Sequence, residues 1–361
     1  MRVVIATGPY AEGLGAVEAA RRLGDGWRRQ APHDRVLTCP LSDGGDGFVD
    51  VLAHGLDATP SPVVVTGPAG DQVPAEVLLV DLDDRRTAYL EAGQAAGRHL
   101  VPPEALADPG DLTSQGVGEL LEAAVAAGAT RVVVGCGDLA CHDGGRGLLA
   151  ALGAGNDLSG LAEVRRRFEG VELVLAAATD LPLLGFHGAS AALGTEHGVA
   201  AHVTQALEER MGRLTDEVSR VLPPRKDLLS GQAIRPERQP GAGVGGGVGY
   251  ALLVLGARPA AGAALVIDTL GLRDQLPGSL LVTGCASYDW RTVHDGVVAE
   301  AARAALETAA PTVVLAQEVS VGRREGMALG IAGSYAARPG ESLEDLAARV
   351  ARTWSPPPSR S

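Results

Sequence analysis

The chain has 361 residues, 46% of them hydrophobic, and a formal charge of −13 at neutral pH. That length and apolar content suffice for two packed domains. The acid surplus argues against nucleic acid or an anionic membrane surface as partner, since both need a basic stripe that releases counterions. Aromatics are only 3% of residues while glycine numbers 49, so the cores must be aliphatic and the turns tight, which suits an α/β protein. Arginine supplies every basic side-chain charge except Lys226, so a phosphate must be met by guanidinium, backbone or metal.

In chain order, "RVVIATG" is a buried strand and "AVEAARRLGDGWRRQ" an amphipathic helix with apolar residues at intervals of three and four. "PLSDGGDGFVDVL" follows, a glycine loop opening a helix. Asp43 either caps that helix or, with Asp46, offers oxygen to magnesium, while Gly44 and Gly45 let the backbone approach an anion. "AEVLLVDLDD" and "RRTAYLEAG" are strands joined by a short polar turn, hence a hairpin. "DLTSQGVGELL" places Thr113 and Ser114 before a helix that carries Glu119, as hydroxyl caps or as ligands of a substrate carboxylate.

The strand "RVVVGCG" runs into "GCGDLACHDGGRG", where Gly137, Gly144 and Gly145 form a loop before a helix, the layout that aims amides at a phosphate. Its charged groups are Asp138, Asp143 and Arg146, and Asp143, opening the chain's second D-G-G, could cap the helix that follows just as Asp43 could. The strand "VELVLAAATD" brings Asp180 to its carboxyl end, where ligands gather in parallel sheets. "VTQALEERMGRLTDEVSRVL" is a long amphipathic helix. The proline-rich stretch after it leads to "GAGVGGGVG", which lacks the preceding strand of a dinucleotide fingerprint and reads as a glycine hinge or an anion-binding helix start. The strand "SLLVTGCAS" presents Asp289, Arg291 and His294 in the loop beyond it, a set able to do acid–base work or simply to sit on the surface. "VVAEAARAALETAA" and "SLEDLAARVARTW" are helices flanking the strand "TVVLAQE", and "SPPPSRS" is a disordered tail. Strand and helix alternation predicts parallel sheets covered by helices.

Cys39, Cys136, Cys141 and Cys285 form no C-x-x-C pair, and no signal peptide precedes the first strand. Cys136, Cys141 and His142 lack a second paired half for zinc and read as buried small side chains in a cytoplasmic protein.

Taken in order, these motifs resemble the bacterial class I glycerate kinase family over nearly the whole chain. "PLSDGGDG" is similar to the family's P-L-A-D-G-G-E-G, "TSQGVGEL" to T-T-x-G-x-G-E-L, and "GCGDLACHDGGRG" to G-x-G-G-S-A-T-N-D-G-G-x-G. "ATDLPLLGFHGAS" is similar to D-V-x-N-P-L-x-G-x-x-G-A, "GAGVGGGVG" to G-A-x-G-G-x-G, and "TGCASYDWRTVHDG" to T-G-E-G-x-x-D-x-Q-T-x-x-G-K. The resemblance implies a two-domain α/β glycerate kinase fold: a flavodoxin-like parallel-sheet domain of residues 1–65 with 279–361, its tail from 354 disordered, and an inserted α/β domain of residues 66–278. It also implies phosphorylation of glycerate or a related small hydroxy acid with ATP and Mg2+, the ligands being a small carboxylate and a nucleotide, with a homodimer left open. Carried over, Asp289, Arg291 and His294 are catalytic. Asp43, Gly44, Gly45, Thr113, Ser114, Gly137, Gly144, Gly145 and Arg146 bind substrate or phosphate, and Asp46, Asp143 and Asp180 hold the metal.

The sequence departs from that pattern where charge matters. The opening P-D-S-F-K-G reads Thr7 to Glu12, with Ala11 at the lysine. Asp138 and Leu139 replace glycine and serine, His142 and Leu181 replace asparagines, Ala178 an aspartate, Cys285 the glutamate, and Gly296 the closing lysine. Two readings follow: a kinase of weak or altered activity, or a catalytically silent member that binds a small ligand or a partner protein.

Overall fold

The computed structural model describes residues 1–10, 13–82, 84–223 and 231–355. Ala11, Glu12, Lys226 and the tail from Pro356 lie outside them. The strands are β1 (Arg2–Ile5), β2 (Arg35–Thr38), β3 (Ser61–Thr66), β4 (Gln72–Leu82), β5 (Arg85–Glu91), β6 (Arg131–Cys136), β7 (Glu172–Ala177), β8 (Arg258–Ala261), β9 (Leu280–Tyr288), β10 (Thr312–Val319) and β11 (Ile331–Ala336). They form two sheets in two compact units, one of residues 1–43, 50–57 and 263–361, the other of residues 44–49 and 58–262.

In the first unit the order is β11-β10-β9-β1-β2, parallel throughout. β-branched and leucine side chains fill both faces, as a parallel sheet covered by helices requires. Val3, Ile5, Leu280, Val282, Val313 and Leu315 meet Leu23 and Trp27 of the helix Ala16–Gln30 and Leu346 and Val350 of the helix Leu343–Trp354. Gly26 sits mid-helix because a Cβ there would stand 2.1 Å from the Glu344 carbonyl oxygen, so the two helices cross almost backbone to backbone. Trp354 closes the last helix, its indole donating to the Tyr335 hydroxyl at 2.9 Å.

In the second unit the order is β3-β4-β5-β6-β7-β8. β3, β4 and β5 form an antiparallel meander, with Leu82 opposite Arg85 at the hairpin, while β5 to β8 run parallel. Helices Gln115–Ala126, Ala201–Val221 and Val244–Leu255 bury Leu120, Leu121, Leu214, Val248 and Leu252 in its core. The glycine stretch opens the last of these helices. Gly245, Gly246 and Gly247 have φ of +60°, +62° and +93°, a conformation that strains a side-chain-bearing residue. A Cβ on Gly246 would meet the Cys141 carbonyl oxygen at 2.1 Å, so the bare backbone is what lets the loop after β6 settle here. Among the described residues no helix is long and apolar enough to cross a membrane.

Candidate functional site

At the carboxyl ends of β5, β6 and β7 the second unit gathers both glycine loops. Gly44 lies where a Cβ would strike the Ala176 carbonyl oxygen at 2.4 Å, and a Cβ on Gly137 would stand 2.7 Å from the Gly45 Cα. The two loops therefore touch through glycines. Glu91, buried at the end of β5, holds the first loop in place by accepting from the Gly47 and Val49 amides, each at 3.1 Å. In the sequence Glu91 is marked only as the acid that closes the run Ala88-Tyr89-Leu90. Asp46 is exposed beside it, with Oδ1 2.9 Å from where a Gly93 Cβ would be.

Asp143 is the hub of the second loop. Its Oδ2 accepts from the Ser114 amide at 3.0 Å, the Ser114 hydroxyl at 2.9 Å and the Gly147 amide at 3.0 Å, and its Oδ1 from the Gly145 amide at 2.8 Å. One carboxylate thus caps the helix that begins at Arg146 and ties it to the start of the helix Gln115–Ala126. Ser114, fully buried, completes the tie by accepting from the Leu148 amide at 3.0 Å, while Thr113 Oγ1 accepts from Gln115 N at 3.1 Å. Glu119 accepts from Thr66 N, Thr66 Oγ1 and Gln115 Nε2. Burial opposes its charge, yet these bonds hold its carboxyl below the usual range. From Gly144 to Gly147 every amide has a partner within the protein: Gly246 O, the Asp143 side chain, Asp143 O and the Asp143 side chain again. A phosphate approaching that stretch meets side chains.

Gly137 and Asp138 line a cavity of about 120 Å3 with Thr179, Glu196, His197 and the glycines Gly243, Gly245 and Gly246. Leu139, His142 and Leu181 line it too. Asp138 Oδ2 is 3.1 Å from His197 Nε2 and 3.5 Å from Arg98 Nε. Partial burial pushes its carboxyl above the usual range, with Glu196 adding to the effect and His197 and Arg98 opposing it. His142 is buried, bonded through Nε2 to Ser190 Oγ at 3.0 Å, and burial together with Arg210 lowers its pKa to about 4, so it is neutral at pH 7. Asp180 is exposed three residues beyond β7, next to Thr179. Cys136 and Cys141 are buried free thiols pushed up by burial, and no set of three or more His, Cys, Asp or Glu that would hold a metal occurs among the described residues.

In the first unit, Asp43 lies at the point where the chain leaves for the second. Asp289 begins the short helix Trp290–His294 as a reciprocal cap: Oδ1 accepts from Arg291 N at 2.9 Å and Thr292 N at 3.1 Å, while Thr292 Oγ1 accepts from Asp289 N at 2.8 Å. All of these carboxylate bonds fall on Oδ1, leaving Oδ2 outside the cap. Arg291 lies over the exposed Trp290 ring at 5.4 Å, and His294 is exposed one turn on. Cys285 donates to Ser287 O at 3.2 Å, and burial and Asp289 push its thiol up to about 12.

Both glycine loops belong to the second unit and lie at the carboxyl ends of its parallel strands, the place where sheets of this kind bind small ligands. A model of the glycerate kinase family matches residues 3–354, and the chain belongs to that family. The glycerate kinase of Bacillus subtilis (strain 168) is 31% identical over 366 residues, covering 96% of this chain and 92% of its own. The glycerate 2-kinase of Escherichia coli (strain K12) is 30% identical over 339 residues, covering 88% and 85%. An uncharacterized protein of Mycobacterium bovis is 38% identical over 337 residues, covering 92% and 82%. A crystal structure provisionally named a glycerate kinase 2, from Salmonella typhimurium LT2, superposes with a TM-score of 0.76 at 28% identity over 98% of both chains. The fold is the two-domain α/β fold of this family.

Proposed function

We propose that the protein transfers the γ-phosphoryl group of ATP to a hydroxyl of glycerate or a related small hydroxy acid. The observation that carries this reading is the family match over residues 3–354, joined to the meeting of the family's glycine motifs at the end of one sheet. In this reading Gly44, Gly45 and Gly137 give the ligands close access to backbone, Asp43 and Thr113 frame them, and Asp289, Arg291 and His294 keep the catalytic roles that the resemblance implies, whereas Ser114, buried and bonded to Asp143, and Gly144 and Gly145, whose amides are taken, organise the loop. Asp289 Oδ2 takes the proton from the substrate hydroxyl, its oxygen bonds to the γ-phosphorus, and ADP leaves with the electrons of the broken P–O bond.

Magnesium supplies charge neutralisation when bound with ATP, held by one or two carboxylates plus the phosphates. Asp46 and Asp180, both exposed at strand ends, fit that donor set. Asp143 does not, because its carboxylate already accepts four hydrogen bonds.

Turnover is expected to be slow. Ala11 and Gly296 at lysine positions, with an anion at Asp138, together cost about 4 kcal/mol of transition-state stabilisation, roughly a thousandfold in rate. A coupled ADP-release assay with D-glycerate and ATP tests the reading. Asp289→Asn keeps an oxygen for the cap but loses the base, so kcat should drop at least about a hundredfold with stability within about 0.5 kcal/mol. No ADP release at any hydroxy acid concentration would overturn the activity. An unchanged kcat in the variant would overturn the role of Asp289.

A further inference from the structure

We infer that a second cavity on the loop after β6 binds linked phosphates through the guanidinium groups of Arg210 and Arg213. This cavity, of about 260 Å3, is lined by Arg146, Arg210 and Arg213 together with His142, Asp143 and Glu217. Arg210 and Arg213 stand three residues apart on the helix Ala201–Val221 and so share a face, while Arg146 comes from the start of the helix that Asp143 caps. In a chain of net charge −13, three cations around one hollow need a reason.

The local acids supply it for Arg146 alone, which also donates to the Asn156 carbonyl at 2.6 Å. Asp143 directs its lone pairs to the Ser114, Gly145 and Gly147 donors, and Glu217 pairs with Arg146. Arg210 makes no ion pair among the described residues, and its Nη2 donates only to the Gly110 carbonyl at 2.9 Å. Arg213 reaches Glu209 at 3.6 Å with both side chains well exposed, a pair of little strength. His142 carries no charge at pH 7, and Arg210 contributes to keeping it neutral. Because the amides of Gly144 to Gly147 are all taken, an anion here must be held by side chains, and a planar guanidinium fork offers phosphate two parallel bonds where an amide offers one. The volume exceeds several waters at roughly 30 Å3 each, so it suits a phosphate chain better than a single water.

The inference deepens the phosphotransferase reading by giving the phosphates of the nucleotide a place, but binding is read without hydroxy acid and survives a failure of turnover. Calorimetric titration of the full chain at low salt, with tripolyphosphate, ATP and adenosine as separate probes, tests it. Tripolyphosphate should bind, more weakly as salt rises. Arg210→Ala with Arg213→Ala should weaken it at least tenfold, while Arg210→Lys, which keeps the charge but loses the two-bond fork, should fall between the wild type and the double variant; circular dichroism confirms that each variant is folded. If ATP loses the same factor and adenosine none, the source is the nucleotide. If only tripolyphosphate is affected, the site stands and takes a free polyphosphate. Tripolyphosphate that fails to bind the wild-type chain, or that binds the folded double variant as tightly, overturns the inference.

Discussion

Asp138 and Asp143 stand five residues apart on one loop and do opposite work. Asp143 is built into the backbone around it, with four donors on two oxygens and a fully buried serine among them. Asp138 is half-exposed on a cavity wall, balanced by an imidazole and a guanidinium. A carboxylate in a glycine motif is therefore defined by what it already accepts. The one with its lone pairs committed organises the loop, and the one whose partners are side chains on a cavity wall can exchange them for a ligand.

The largest expected effect breaks this contrast at its structural end. Asp143→Ala leaves the Ser114 hydroxyl and the Ser114, Gly145 and Gly147 amides without an acceptor, at a cost of about 3 kcal/mol in denaturant unfolding. Asp138→Ala should cost less than about 1 kcal/mol, as a partly exposed pair does. Equal losses in the two variants would show that the loop does not divide its labour this way.

His142, between the two, gives a second and smaller measure. Its folded pKa is about 4 against about 6.5 in the unfolded chain, so below pH 6.5 the unfolded state takes up a proton that the folded state refuses. Its contribution to stability is whole above pH 6.5 and is lost progressively as the pH falls towards 4, by about 2 kcal/mol near pH 5. His142→Gln should flatten the wild-type slope by that amount between pH 6.5 and 4.5. Parallel stability curves for the two proteins would mean that His142 titrates normally in the folded state.

Seven strands were legible from their β-branched runs: β1, β4, β5, β6, β7, β9 and β10. All are interior to their sheets. The four that sequence patterning passed over, β2, β3, β8 and β11, are the four edges. There one side of the strand is unpaired, burial is partial, and "RPAA" and "SPVVVT" carry the proline that an edge tolerates. The helices Ala16–Gln30, Ala201–Val221, Gly296–Glu307 and Leu343–Trp354 were legible from their periodicity because each buries one face, whereas Val244–Leu255 is buried nearly all round and carries no such pattern. At the site, the capping alternative for Asp143 could be stated from D-G-G alone, since a cap is local. Arg98 and His197 could not be tied to Asp138, because they come from 40 residues before it and 59 after, and no local pattern marks a partner brought in by folding.

The smallest effect, and the one that best sharpens the contrast, is at Asp138 itself. Asp138→Asn keeps the shape of the wall and removes its anion, leaving Arg98 and His197 to face the cavity with a neutral amide between them. A unit charge about 8 Å from a bound carboxylate, at an effective dielectric near 40, is worth roughly 1 kcal/mol. If the hydroxy acid enters this cavity, its KM should fall about fivefold in the variant, with most of that gain lost at high salt as the exposed charges are screened. The same substitution at Asp143 should give no such gain, because Asp143 does not line this cavity. A KM for D-glycerate unchanged by Asp138→Asn at low salt would place the substrate elsewhere. It would leave the Asp138–His197–Arg98 cluster as a tie between the loop after β6 and the end of the helix Ala189–His197.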